Sequence, residues 1–431
     1  MKSSSWKAGV ASTVITPADT MWLAGWAARR EPASGTAMEL FAKALALEDA
    51  CGERVVIVTA DLIAIPRDVA TAVAASIQQL HGLPRERLLF NASHTHTGPE
   101  VRPDKVPFFE IPAEFAARIA PYVAQLEAKL TTVVAAAIVQ LASATLHVHQ
   151  ARAGFAANRR SPGGPVDHEV PIVAVHRPDE TLLAILFGYA CHNLTLPPTC
   201  CEYHGDYAGV AQVLLEKQFE GATALFLAGA GADQNPSPRG SLELAQLHGS
   251  ALATAVAQRL SQNARAISGS LRVAFEEAKL DLQPLPSPEI LRADLASDDP
   301  PRRRKAGYLL AALTGKRPLA NRVACPVQVL QLGSELLLIA LGGEPVADYA
   351  QRFKADFAGP LVWVAGYSND LFGYLPSRRI QQEGGYEGGR ATLWSALPTP
   401  LAETAEERVV ETVRRLVTVE RQTHLPSESD F

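Results

Sequence analysis

Short runs of apolar, often β-branched residues recur along the chain, at 55–59, 88–92, 170–175, 182–187, 224–227, 327–332, 336–340 and 361–364. Runs of this length and composition read as strands. Between and after them, apolar residues recur with helical period at 68–80, 122–140, 209–218, 242–262 and 403–417, which predicts helices. That many strands interleaved with helices demand one large sheet or two, so the pattern predicts a mixed α/β fold.

A further helix is predicted near 288, with Ser287 at its cap and Pro288 in its first turn. It opens a stretch at 284–318 with proline at both edges and mixed charge, read as a helical insertion in a single domain covering 1–420; residues 421–431 read as a polar tail. With 47% apolar and 20% charged residues the chain of 431 has the balance of a globular protein with a sizeable core. A net charge of -5 with both signs interspersed makes no case for nucleic acid or an anionic membrane.

The basic run Arg302, Arg303, Arg304, Lys305 follows Asp298 and Asp299 and reads as a solvated helix end. No stretch approaches a membrane span, and the first residues lack the apolar centre of a secretory signal, so a cytoplasmic protein without an integral membrane segment is expected. A homo-oligomer is left open. Cys51, Cys191, Cys200, Cys201 and Cys325 have neither zinc-knuckle nor disulfide spacing and read as mostly buried thiols.

Unusual polar residues stand where apolar runs end, which is where α/β proteins commonly place their sites. In Asn91-Ala92-Ser93-His94-Thr95-His96-Thr97-Gly98-Pro99 the two histidines project from one face if the strand continues through them. That is a metal-ligand pattern, with a hydrogen-bonded pair as the bland alternative. His192 ends another run; its neighbour Cys191 points to the opposite face of a strand, which argues against a Cys/His dyad. Gly229-Ala230-Gly231-Ala232 lacks the lysine of a phosphate loop; its small residues let backbone approach a ligand and present Asp233 and Asn235. Glu344 ends a fourth run, and Tyr367, Tyr374 and Tyr386 lie in a glycine-rich stretch suited to lining a substrate.

Taken together, Ser93 to Pro99, Asn158-Arg159-Arg160-Ser161-Pro162, His192, Gly342-Gly343-Glu344-Pro345, Ser368-Asn369, Tyr374 and Tyr386-Glu387-Gly388 resemble the catalytic domain of neutral ceramidases. The resemblance runs from about 21 to about 390. It implies two packed sheets flanked by helices, with a Zn²⁺ site at one rim held by His94, His192, Glu344 and Tyr374. It implies further that His96 faces the reacting group, that Arg160 and Tyr386 hold the substrate, and that Asp233 joins the catalytic candidates. The motif alone does not say which of His94 and His96 is the ligand. Where the family carries a serine sometimes assigned as nucleophile, this chain has Asn235, which leaves Asn235 as a substrate contact. The resemblance also implies a C-terminal sandwich domain that this sequence does not contain.

The function expected on this footing is zinc-dependent hydrolysis of an amide (N-acyl) bond in a small acyl amide by metal-bound hydroxide. Zinc and Arg160 or a tyrosine would stabilise the oxyanion, and His96 would pass a proton to the departing amine. The alternatives are a zinc esterase or lactonase, and a catalytically silent ligand-binding relative.

Overall fold

The computed structural model describes residues 6–422, so most of the expected polar tail lies outside the described residues. The first half contains β1 (Trp6–Val14), β2 (Phe41–Glu48), β3 (Arg54–Ala60), α1 (Arg67–His81), β4 (Leu88–Ala92), α2 (Ala113–Val139), β5 (Ala142–Arg152), β6 (Glu169–His176), β7 (Leu182–Tyr189), α3 (Asp206–Gln218) and β8 (Thr223–Ala228). The second half contains α4 (Leu242–Leu260), β9 (Leu271–Asp281), α5 (Pro288–Asp294), α6 (Pro300–Thr314), β10 (Arg322–Leu332), β11 (Leu336–Leu341), α7 (Ala347–Asp356), β12 (Leu361–Ala365) and α8 (Ala405–Gln422).

One sheet runs β8-β7-β6-β5-β1-β2-β3-β4, with the short strand Arg265–Ala266 added on β5; the second runs β9-β10-β11-β12. An apolar core fills the space between them, where Leu45, Ile57 and Leu186 of the first sheet meet Leu330, Leu338 and Trp363 of the second. Helices α1 and α2 cover one half of the first sheet's outer face, and α3 and α4 cover the other half. Helices α7 and α8 cover the second sheet. The result is four layers, helix on sheet on sheet on helix, as expected.

The pairs β3/β4, β7/β8 and β11/β12 are parallel. Parallel neighbours send their carboxyl ends the same way, and bridges from Asn91 to Ser368 and from Gly229 to Ala365 bind these ends into one rim. The polar residues singled out above leave from that rim.

Four of the longer strands escaped the periodicity: β1, β2, β5 and β9. In β2, Phe-Ala-Lys-Ala-Leu-Ala-Leu-Glu is dominated by residues that favour helices. It is extended because both of its faces are buried, so packing overrides intrinsic preference. Helix α2 begins nine residues before its predicted start at 122 and carries Pro121 inside it. It also corrects the reading that no stretch approaches a membrane span, since its 27 residues are long and apolar enough by length and composition, a test that the core helix of a globular protein also passes. Here Leu126, Leu130, Val133 and Val134 pack into the core over β2 and β3.

Two smaller expectations are also corrected. The basic run is not wholly solvated: Arg302 pairs with Asp294 and Arg304 with Glu110, but Lys305 is buried and donates to the carbonyl of Ser395 at 2.8 Å. Of the cysteines only Cys191 and Cys325 are buried, while Cys51 is exposed and Cys200 and Cys201 are intermediate.

Candidate active site

Strand β4 ends at Ala92, so the histidine motif is not a continuing strand. His94 has a φ of 61°, a left-handed turn that swings its ring over Tyr367, with ring centroids 4.3 Å apart. The two histidines are brought together by this turn and not by strand alternation. Asn91 pins the rim: its amide donates to the Gly366 carbonyl at 2.7 Å and to Ser368 Oγ at 3.1 Å, and its oxygen accepts the Ala228 N–H at 2.9 Å. One side chain thus ties the ends of β4, β8 and β12 together.

His94 Nδ1 lies 2.8 Å from the Ile63 carbonyl and His192 Nδ1 lies 3.2 Å from the Gly231 carbonyl. A carbonyl only accepts, so each Nδ1 carries the proton and each Nε2 presents a bare lone pair. Gly231 makes the second contact: a Cβ there would stand 2.4 Å from the Cys191 nitrogen. The small-residue turn therefore serves the approach of the chain to itself, not to a ligand. Glu344 enters from the second sheet, in the short parallel pairing of Glu344–Pro345 with Tyr374–Leu375.

The two Nε2 atoms lie 3.2 Å apart, and Glu344 Oε2 lies 3.5 Å from that of His94 and 3.4 Å from that of His192. Burial, only partly opposed by Glu344, pushes His94 down to about 3, and burial likewise lowers His192. Burial alone would raise Glu344, but His94, then His192 and Tyr374, outweigh it and hold the carboxyl at about 2. The pull on Glu344 calls for positive charge beside it, and with both imidazoles neutral their Nε2 lone pairs and the unpartnered Glu344 Oε2 converge as acceptors, an arrangement that a cation stabilises. Donor atoms about 2.0–2.1 Å from a tetrahedral zinc lie about 3.3–3.4 Å apart, which is the spacing seen here.

His96 completes a group of three histidines whose nearest ring nitrogens lie within 4.8 Å of one another. Its two ring nitrogens have no hydrogen-bond partner although the residue is 8% exposed, and burial holds the ring neutral by lowering its pKa well below the ordinary value. The ring is wedged against Gly25, whose φ is 89° and whose added Cβ would stand 2.4 Å from His96 Nδ1. Gly25→Ala is therefore expected to push His96 aside and to cost about 1–3 kcal/mol of stability, read as a lowered denaturation midpoint. Metal content should be unchanged while turnover falls; an unaltered turnover would show that the position of this ring is unimportant.

Around this cluster the structure redistributes several expected roles. Arg159, not singled out from the sequence, donates to the Tyr374 hydroxyl at 3.0 Å and to Glu387 at 2.6 Å. Its guanidinium also stacks 5.6 Å from the ring centroids of both Tyr374 and Tyr386. Arg160 instead donates to Glu387, Glu383 and the Gly384 carbonyl, which fixes the segment carrying Tyr386. The placement of Asp233 corrects its candidacy as a catalytic group. Its oxygens accept the Ala347 N–H at 2.8 Å and the Asn158 amide at 3.1 Å, so it anchors the start of α7 and faces neither cavity. Asn235 lines the larger cavity, and its side-chain oxygen has no partner. Cys191 is buried, and burial raises its thiol well above the usual range, which removes it as a nucleophile.

Two cavities adjoin the cluster: one of about 90 Å³, reaching His94, His96 and Glu344, and an open groove of about 930 Å³, reaching His96 and His192. Tyr374 and Tyr386 border both. The family model for the N-terminal region of neutral/alkaline non-lysosomal ceramidases matches residues 6–236, more than half of the chain. The chain belongs to that family. Among solved structures, the neutral ceramidase from Pseudomonas aeruginosa is similar with a TM-score of 0.77 at 17% identity, over 99% of this chain and 76% of that one. A ceramidase complexed with C2 gives 0.76 at 17% identity, over 99% and 77%. At that identity the likeness concerns the fold. No curated protein sequence matches significantly. His94, His96, His192 and Asn235 fall within the matched ceramidase region, whereas Glu344, Tyr374 and Tyr386 lie beyond it and join the cluster through the second sheet. Family and fold together make this a ceramidase-like hydrolase.

Proposed function

We propose that this ceramidase relative is a zinc-dependent amidase acting on linear N-acyl amines, with zinc held by His94, His192 and Glu344 and its donor set completed by Tyr374. The observation that carries the reading is the triangle of bare acceptor atoms, 3.2 to 3.5 Å on a side and buried. When bound, the ion supplies Lewis acidity and a water whose pKa falls to about 7.

The remaining work belongs to the chain. In amide hydrolysis a water oxygen bonds to the acyl carbon, the C–N bond breaks, and a proton must reach the nitrogen that leaves. His96 is neutral, unpartnered and at the junction of both cavities, so it carries that proton. Tyr386 borders both cavities and keeps its proton: its ring is partly exposed, but desolvation at its hydroxyl and then the Glu344 carboxylate push that group up to about 12; it donates to the acyl oxygen as charge develops there. Arg159 stands behind Tyr374 and eases negative charge on that phenol oxygen. The free oxygen of Asn235 accepts a substrate N–H or hydroxyl in the groove. Asparagine at that position supports direct attack by water over an acyl-enzyme.

Purified protein is expected to contain about one zinc per chain and to release amine from members of a short and long N-acyl panel. A chelator should stop the reaction and zinc should restore it. Full turnover by chelator-stripped, metal-free protein would overturn the proposal.

A further inference from the structure

The smaller cavity is a cationic chamber. Arg102 and Lys105 lie in its lining together with His94, His96 and Glu344. Arg102 grips Glu100 with two hydrogen bonds, at 2.7 and 2.8 Å, so that carboxylate is fully engaged. Glu344 belongs to the histidine triangle, and Glu387 is held by Arg159 and Arg160. Lys105 is left without a carboxylate: among the described residues its one hydrogen bond goes to the Trp394 carbonyl at 3.1 Å. An ammonium has three N–H donors, and in the half-buried Lys105 only one of them meets a protein acceptor. Burial and then Arg102 pull Lys105 down to about 8; burial and then Lys105 itself pull its neighbour Lys305 down to about 7.

Lys105 and the His94, His96 and Glu344 side chains line one continuous cavity, so a substrate that reaches both needs only a connecting arm.

We propose that this chamber recognises a short substrate arm ending in a carboxylate, which pairs with Lys105 while the scissile carbonyl lies at the His94, His192 and Glu344 cluster. The assignment rests on the amidase reading only for the identity of the scissile bond. The shared chemistry is a carboxylate a few carbons from the amide, either on the acyl side, as in an N-succinyl amine, or on the amine side, as in an N-acylglycine. A purely structural Lys105, tying down the segment at 394, predicts no such preference.

Binding is measured first, by calorimetry on the zinc-loaded protein with succinate and with butyrate. Each offers one carboxylate to the ion, but only succinate offers a second to Lys105. Succinate is expected to bind about 10- to 100-fold more tightly, and Lys105→Met should collapse that ratio toward one, with Lys105→Arg keeping part of it. Equal binding in the unaltered protein, or an unchanged ratio in Lys105→Met, would overturn the proposal. Turnover then places the arm. Preference for an N-succinyl amine over its succinamoyl isostere assigns it to the acyl side, and preference for N-acetylglycine over N-acetylglycinamide assigns it to the amine side. Tight succinate binding with no amide turnover would keep the chamber and sink the amidase reading, so the two failures are distinguishable.

Discussion

His192→Ala is expected to leave the protein with little bound zinc and to lower kcat/KM by about 10³-fold, toward the level of chelator-treated enzyme. A catalytic ion contributes several kcal/mol to stabilising charge in the transition state, and each 1.36 kcal/mol is tenfold in rate. His192 holds one corner of the triangle, with its Nδ1 proton committed to the Gly231 carbonyl and its Nε2 turned to Glu344 at 3.4 Å. Alanine removes the donor and keeps the backbone bond from His192 N to the Gln234 carbonyl. The check is metal content and activity on the same preparation. Zinc retained at unchanged affinity would remove His192 from the donor set and the central argument with it.

His96→Asn should behave oppositely with respect to metal. Zinc stays near one per chain, because the ring of His96 is not part of the tight triangle, while amide turnover falls by about 10²- to 10⁴-fold, the range for loss of a general acid or base. An ester of the same acyl group should lose much less, since an alkoxide leaves with less need of a proton than an amine does. The comparison is therefore a ratio of amide to ester turnover, read in both proteins. Loss of zinc in His96→Asn would instead make His96 a ligand, the other arrangement that the His-x-His motif leaves open. Equal losses on amide and ester would assign it to positioning and not to proton transfer.

Much of the site was legible because its residues interrupt their surroundings. His94, His192 and Glu344 each stand just past the end of a strongly apolar run, and a polar group there has no packing reason to exist. Arg159 was invisible for the opposite reason: beside Arg160 in the chain nothing distinguishes the two. Only the direction taken after Asn158 sends one guanidinium to Tyr374 and the other to Glu383. Lys305 read as part of a solvated helix end, and Asp233 read as a catalytic candidate, because burial and partners are not properties of a residue type. The missed strands β1, β2, β5 and β9 tell the same story in the fold, where residues with weak or helical preference are held extended by the sheet neighbours on either side.

Local sequence determined the kinds of element, most of the strand ends in the core, the chemical repertoire available at them and the case against a Cys191/His192 dyad. It did so because periodicity, turn chemistry and donor type act over a few residues. The tertiary structure decided which of those ends meet. Two sheets pack so that Glu344, just past the end of a second-sheet strand, faces His94 and His192, just past the ends of first-sheet strands, within 3.5 Å. A left-handed turn at His94, not a strand, sets the angle between its ring and that of His96, and close backbone approach at Gly25 and Gly231 locks the rings in place. Those contacts join residues up to some 250 positions apart, a separation over which no local pattern carries information.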